Sequence, residues 1–80
     1  MIVIKIVESY VDSIGDDGIP RYVVKLSRDK EMVMVNGLVG WNNLELYIAE
    51  QPEILNRIFE SWKKIALEND SRHFYFSIED

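Results

Sequence analysis

The chain has 80 residues, of which 48% are hydrophobic and 29% charged, so it is predicted to form one domain spanning residues 1–80 with an apolar core. Nine basic against 14 acidic side chains give a net charge of −5, the wrong sign for broad binding to nucleic-acid phosphates or anionic lipid. Cysteine is absent, which excludes disulfides, thiolate nucleophiles and zinc–thiolate sites. The apolar residues 1–7 lack the basic start of a signal peptide, and no run approaches the roughly 18 apolar residues of a transmembrane helix. We therefore expect a cytoplasmic protein.

The pattern of the first 35 residues predicts an antiparallel meander. Residues 2–12 alternate as a strand, with Ile2, Ile4, Ile6 and Tyr10 on one face. Glycines and a proline punctuate residues 13–20, which is typical of a hairpin loop. Strands over residues 21–27 and 31–35 follow, separated by a charged turn. Tyr22, Val24, Leu26, Met32 and Met34 are expected on the same face as Ile4 and Ile6.

Residues 36–50 are open to two interpretations. Asn36-Gly37 is the strongest short hairpin signal and predicts a short returning strand over residues 38–41. Residues 44–50 fit either a strand or a helix, and their Leu, Glu and Ala content favours the helix. Asn42 with Glu45 resembles a capping box for that helix.

Residues 52–69 predict the clearest element, an amphipathic helix that begins with Pro52 at its first position. Its apolar arc consists of Ile54, Leu55, Ile58, Phe59, Trp62, Ile65 and Ala66. A last strand over residues 73–79 places Phe74 and Phe76 on one face. The predicted fold class is α+β: an antiparallel sheet of three to four strands, in the order β-β-β-α-α-β, packed on one face by the long amphipathic helix.

Catalytic patterns are missing from the sequence. The single histidine, His73, starts a strand and has no evident catalytic partner. Asp16 and Asp17 precede Gly18, and aspartate followed by glycine is common in turns. The surrounding residues lack the alternating ligands of a calcium-binding loop. No phosphate-binding glycine loop, nucleophile elbow or zinc-binding helix motif occurs. We therefore expect no enzymatic activity, no cofactor and no metal.

The second face of the predicted sheet is unusually apolar. No second amphipathic helix of comparable quality is available to cover it, so it is either an interface or a partly exposed surface over which the lysine side chains extend. Such an interface would bind a protein partner or a second copy in a homodimer. The residues expected on this face are Val3, Val7, Val11, Val23, Val33, Val35 and Tyr75, interrupted by Lys5, Ser9 and Lys25.

A second candidate interface centres on Trp41, which lies outside any clear periodic element. Its position favours packing at the edge of the core, and the alternative is an interface anchor, which is a frequent role of tryptophan. If the last strand ran parallel to its neighbour, the acidic loop before the second strand and the acidic last residues would both lie beside this side chain. The predicted acidic pole consists of Asp16, Asp17, Glu79 and Asp80.

A small, acidic, cysteine-free chain without catalytic residues suits a protein that binds another protein. The sequence therefore predicts a non-enzymatic inhibitor or neutraliser of a larger, basic protein, of the antitoxin, immunity or phage-encoded anti-defence type. A self-associating structural or accessory subunit is the alternative, and a small enzyme acting through Asp16, Asp17 or His73 is the third and least favoured interpretation. Neither nucleic acid nor a membrane is an expected partner, because basic residues are outnumbered.

Overall fold

The computed structural model describes residues 3–49, 51–69 and 72–79, which form one four-stranded antiparallel sheet and two helices. This arrangement confirms the predicted α+β class and the order of the elements. The strands lie side by side in chain order. The elements are β1 (Ile4–Ile14), β2 (Pro20–Arg28), β3 (Glu31–Leu38), α1 (Trp41–Ala49), α2 (Pro52–Glu68) and β4 (Phe74–Ile78).

The core lies between one face of the sheet and the two helices. Val24, Leu26 and Val33 contribute from the central strands and are fully buried. Trp41 and Ile48 contribute from α1, and Leu55 and Phe59 from α2. We call the opposite side of the sheet, on which no described helix packs, the open face.

Helix α2 spans residues 52–68, as predicted, with Pro52 in its first turn. Phe59 is fully buried, whereas Ile58, Trp62 and Ile65 are only half-buried. The helix runs across the strands: Asn56 accepts a hydrogen bond from Arg28 of β2 at 3.1 Å, and the Lys63 ammonium lies over the ring of β4 residue Phe76 at 5.1 Å. This direction lets one helix cover several strands.

Strand β1 contains two β-bulges, whereas the sequence predicted a regular alternation of its side chains between the two faces. Ile6 pairs with Leu26 and Glu8 with Lys25, so Val7 is an extra residue, and a second irregularity follows Val11. A bulge reverses which residues face the core. Ser9 therefore turns toward the helices and Tyr10 toward the open face, so the prediction that Tyr10 shares a face with Ile4 and Ile6 was wrong. Ile2 lies outside the described residues.

The predicted faces of β3 were inverted. Val33 and Val35 pair with Leu26 and Val24 and are buried at 0% and 2% exposure, so they are core residues rather than parts of an interface. Met32 and Met34, expected in the core, lie on the open face. The turn sets this register, because Arg28 pairs with Glu31 and leaves a two-residue connection with Asp29 at φ 55°.

Asn36-Gly37 does not form a hairpin. Both residues lie inside β3, where Gly37 has φ 85° and is the extra residue between the pairs Val23–Asn36 and Tyr22–Leu38. The left-handed conformation that favours Asn-Gly turns is used here for a bulge. The returning strand over residues 38–41 was therefore also wrong.

The helical interpretation of residues 44–50 is confirmed up to residue 49, since α1 spans Trp41–Ala49. It begins one residue before Asn42, so Asn42 is inside the helix and does not cap it.

The last strand runs antiparallel to β3, with Val35 opposite Phe74 and Glu31 opposite Ile78. Two helices connect β3 to β4, as predicted, and they pack against each other. The chain therefore returns to the end of the sheet at which β3 finished, and the predicted parallel crossover was wrong.

Candidate protein-binding face

The open face of the sheet is the candidate functional site. Strand register and side-chain alternation place its members. They are Lys5, Val7, Glu8 and Tyr10 of β1; Val23, Lys25 and Ser27 of β2; Met32, Met34 and Asn36 of β3; and Tyr75 and Ser77 of β4.

One row of side chains crosses all four strands. Glu8 pairs with Lys25, Lys25 with Met34, and Met34 with Tyr75. Directly opposed side chains on one face have Cβ atoms about 4.5–5.5 Å apart. The row therefore joins a carboxylate, an ammonium, a thioether and a phenol in one continuous surface.

Two tyrosines occupy the outer strands of this face. Tyr10 is 48% exposed and Tyr75 is 45% exposed. Tyr10 lies two residues beyond Glu8 on the same face, opposite the buried Val23. The methionine and lysine between the outer strands are half-buried, so the aromatic rings are the most accessible large groups of the central surface.

Two of the predicted valines remain exposed on this side. Val7 is 50% exposed in the first bulge, and Val3 is 61% exposed immediately before β1. Val23 also stays on the open face but is buried, whereas Val11 is turned to the helix side by the bulge. Of the residues proposed for an interface, Val3, Val7 and Tyr75 thus lie together on one side, without Val33 and Val35.

Trp41 is a core residue and not a surface anchor. It is only 1% exposed, and its ring centroid lies 5.8 Å from that of Trp62. Its indole Nε1–H donates a hydrogen bond to the Ser9 hydroxyl at 2.8 Å. The interpretation that Trp41 packs in the core, which the sequence favoured, is therefore correct.

The acidic residues do not form a pole. Asp16 and Asp17 are exposed at the tip of the β1–β2 hairpin. Glu79 lies at the opposite end of the sheet, where its N–H donates to the Lys30 carbonyl at 2.7 Å. Asp80 lies outside the described residues. The antiparallel direction of β4 separates the groups that the pole required.

Asp17 stabilises its own turn. Its carboxylate accepts a hydrogen bond from the Ile19 N–H at 2.9 Å and forms an ion pair with Arg21 at 3.2 Å. The Ile19 N–H, together with the Arg21 guanidinium, lowers the pKa of Asp17. These contacts fit a structural role in the turn.

The helix side carries a charged cluster that joins α2 to the β2–β3 turn. Glu31 accepts hydrogen bonds from Lys63 at 2.6 Å and from Arg28 at 2.7 Å, and Arg28 also pairs with Glu60. The guanidinium of Arg28 lies 4.3 Å from the centre of the Phe59 ring. The Lys63 ammonium, together with Arg28, holds the pKa of Glu31 below its usual value. Every member has a charged partner, so the cluster fits helix attachment better than catalysis.

Metal-ligating clusters are absent from residues 3–49, 51–69 and 72–79. His73 lies at the edge of the sheet, with Nδ1 3.1 Å from the Asn36 carbonyl oxygen. Neither helix in the described part of the chain is long and apolar enough to cross a membrane.

Comparison of the chain with protein-family models, curated proteins and solved structures finds no match.

Sequence reasoning identified Tyr75 and Val7 as members of the candidate face but missed Tyr10. The missing signal was the bulge at Val7. In the sequence, three consecutive residues, Val7-Glu8-Ser9, interrupt the alternation that began at Ile4. Such an interruption marks a possible bulge but does not locate it, because the partner strand sets the register.

Proposed function

We propose that this chain is a non-enzymatic domain that binds another protein through the open face of its sheet. The observation that carries the proposal is the pair of exposed tyrosines, Tyr10 and Tyr75, on a face that the helices leave bare.

The chemistry of the face supports a protein as the occupant. Tyrosine and methionine are enriched in protein interfaces, and tyrosine buries a large area while restricting only two side-chain torsions. Lys25 and Glu8 add one group of each charge beside Met34 and Tyr75. A mixed surface of this kind can pair with both apolar and polar groups of a partner.

The charge of the whole chain supports a basic partner. A net charge of −5 attracts a basic protein over long range and speeds its association. The open face itself carries Lys5, Lys25 and Glu8, so contact there depends on the tyrosines and methionines more than on ionic attraction. An inhibitor or neutraliser of a larger basic protein, of the antitoxin, immunity or anti-defence type, combines these two properties.

A photo-crosslinking amino acid tests the surface in the cell that expresses the chain. Incorporated at Tyr10 or Tyr75, it should give a crosslinked product with one larger protein. Incorporated at Tyr47, on α1 at the helix side, it should not capture that protein. Tyr47 is a suitable control position because its side chain is exposed to a degree similar to that of Tyr10 and Tyr75.

A double substitution, Tyr10→Ser with Tyr75→Ser, should then lower affinity for the crosslinked partner at least tenfold. The circular dichroism spectrum should not change, because both rings are about half exposed. Capture of the larger protein from position 47 alone would contradict the proposal. Unchanged affinity of the double variant for that protein would contradict it as well.

A further inference from the structure

The outer edge of β4 is a row of backbone groups beside which the described sheet has no further strand. Two hydrogen bonds define which residues point there: Asn36 donates to the His73 carbonyl at 2.8 Å, and Glu79 donates to the Lys30 carbonyl at 2.7 Å. Because pairing alternates along an antiparallel strand, the odd-numbered residues of β4 bond to β3. The residues whose N–H and C=O groups point outward are Phe74, Phe76 and Ile78.

The two edges of the described sheet differ in their protection against pairing with another strand. Natural edge strands are blocked by bulges, prolines and charged side chains. Strand β1 has two bulges, at Val7 and after Val11, and carries Lys5 before them. Strand β4 pairs with β3 without a register shift, and its five residues include no charged residue, proline or glycine. Of these two edges, β4 is therefore the better one for accepting a strand.

We propose that β4 pairs with β4 of a second copy of this chain, antiparallel and about a two-fold axis at Phe76. Each Phe76 would then exchange both backbone hydrogen bonds with its own counterpart. Phe74 would exchange both with Ile78 of the second copy. This register uses every outward-pointing backbone group of β4, and it joins the two four-stranded sheets into one continuous sheet.

The charges that flank β4 identify a second copy as the occupant. Arg72 and His73 precede the strand, whereas Glu79 and Asp80 follow it. In the proposed register His73 lies opposite Glu79 of the second copy, so the basic flank of each chain meets the acidic flank of the other. A parallel pairing would place like charges together. The sequence around Phe76 is thus complementary to itself in the antiparallel direction, although each chain has a net charge of −5.

The exposure of the helix-side residues of β4 fits the same register. Phe74 and Phe76 are half-buried, and the Lys63 ammonium of α2 lies over the Phe76 ring. Ile78 is 62% exposed, so α2 leaves the last residue of the strand bare. In the dimer Ile78 lies opposite Phe74 of the second copy, at the end of the strand that the other helix covers. Directly opposed side chains on one face are in contact distance, so this pairing would cover Ile78.

The dimer goes beyond the partner-binding role proposed for the open face, and either proposal can fail alone. Pairing over five residues is short, so we expect a dimer that dissociates on dilution. Tyr10→Ser separates the two proposals, because it removes a ring of the open face on the opposite edge strand and should leave the dimer unchanged. Loss of the dimer in this variant would assign self-association to the open face and overturn the pairing of β4.

Sedimentation equilibrium of the purified chain tests the dimer. With increasing concentration, the average mass should rise from 9.4 kDa toward twice that value. An N-methyl group on the Phe76 amide, introduced by chemical synthesis, should keep the chain monomeric, because it removes an outward donor without breaking a bond to β3. The matched control carries N-methyl on the Ile6 amide, which by the same alternation points outward from β1, and should dimerise normally. A monomer at all concentrations, or a dimer of the Phe76 variant with an unchanged circular dichroism spectrum, would overturn the proposal.

A charge exchange tests the register. Glu79→Lys and His73→Glu should each weaken association about tenfold, since the first places basic groups and the second acidic groups opposite each other at both ends of the paired strands. Glu79→Lys also reduces the net negative charge, so general repulsion would not explain its weaker association. An equimolar mixture of the two variants should restore the dimer, and added salt should reduce that recovery. If either variant alone dimerises as well as the mixture does, the axis is not at Phe76 and the proposed pairing is wrong.

Discussion

Val33 and Val7 show how two identical side chains acquire opposite roles. Val33 is fully buried between Leu26 and the helices, whereas Val7 is half exposed in a bulge of the edge strand. Replacement by lysine separates the two environments, because a buried ammonium without a partner is strongly unfavourable.

Val33→Lys should unfold the domain or destabilise it by several kcal/mol, a large part of the stability of a chain of this length. Val7→Lys should change the free energy of unfolding by less than about 0.5 kcal/mol, as for other surface substitutions. Urea denaturation followed by circular dichroism measures both. Equal tolerance of the two substitutions would mean that Val33 is not in the core.

Strand β3 depends on Gly37 for its bulge. The residue has φ 85°, and a Cβ built there would lie 3.5 Å from the nearest heavy atom, the Nδ1 of His73, which is an ordinary contact. The obstacle to a side chain is therefore the backbone conformation and not the available space.

Gly37→Ala should destabilise the protein by about 1–2 kcal/mol, the usual cost of a left-handed conformation for an L-residue. D-alanine at the same position, introduced by chemical synthesis, should not show this loss, because its preferred φ is positive. Thermal unfolding of the three chains makes the comparison. Equal losses with the two enantiomers would indicate a steric cause.

Helix α2 is attached to the sheet through Glu31 as well as through apolar contacts. Since ion pairing lowers the pKa of Glu31 in the folded protein, its contribution to stability is present above the unfolded-state pKa. It is lost as the pH falls through the lowered, folded-state pKa.

Glu31→Gln should therefore reduce the free energy of unfolding by about 1 kcal/mol at neutral pH, a value typical of partly exposed ion pairs. The difference from the unchanged chain should begin to shrink below the ordinary glutamate pKa of about 4.3 and disappear at lower pH. Denaturation between pH 2 and pH 7 measures the difference. Glu53→Gln, on the exposed side of α2, is the control and should show little effect. A constant difference across this range would exclude ionisation of Glu31 as the cause.

The whole molecule is a single layer of strands covered on one side, so protection from solvent should vary systematically across the sheet. The central strands β2 and β3 contain most of the core, whereas β1 and β4 each have one free edge within the described sheet. Helix α1 is short and packs mainly through Trp41 and Ile48.

Amide hydrogen exchange of dilute protein should therefore be slowest in β2 and β3, where exchange requires global unfolding. The residues of β1 beyond Asp12 and the amides of α1 should exchange faster through local opening. Mass spectrometry of proteolytic fragments can resolve these segments. Protection of α1 equal to that of β3 in the dilute monomer would contradict this order.

Local sequence determined much of the architecture. The apolar spacing of α2, the punctuated loop before β2 and the alternating pattern of β4 predicted helix, hairpin and strand correctly, because each depends on neighbours within a few residues. The same patterns predicted the order of the elements and the sheet covered by a helix.

Tertiary structure decided which side of each strand became the core. The choice between Val33 and Met34 depended on the β2–β3 register, and the position of Tyr10 depended on a bulge opposite Lys25. Shifting one residue along a strand exchanges its two faces, and both faces of these strands contain apolar residues, so the sequence alone could not select between them. The burial of Trp41 also depended on tertiary contacts. Ser9 and Trp62 are distant from Trp41 in the chain but contact its side chain in the folded core.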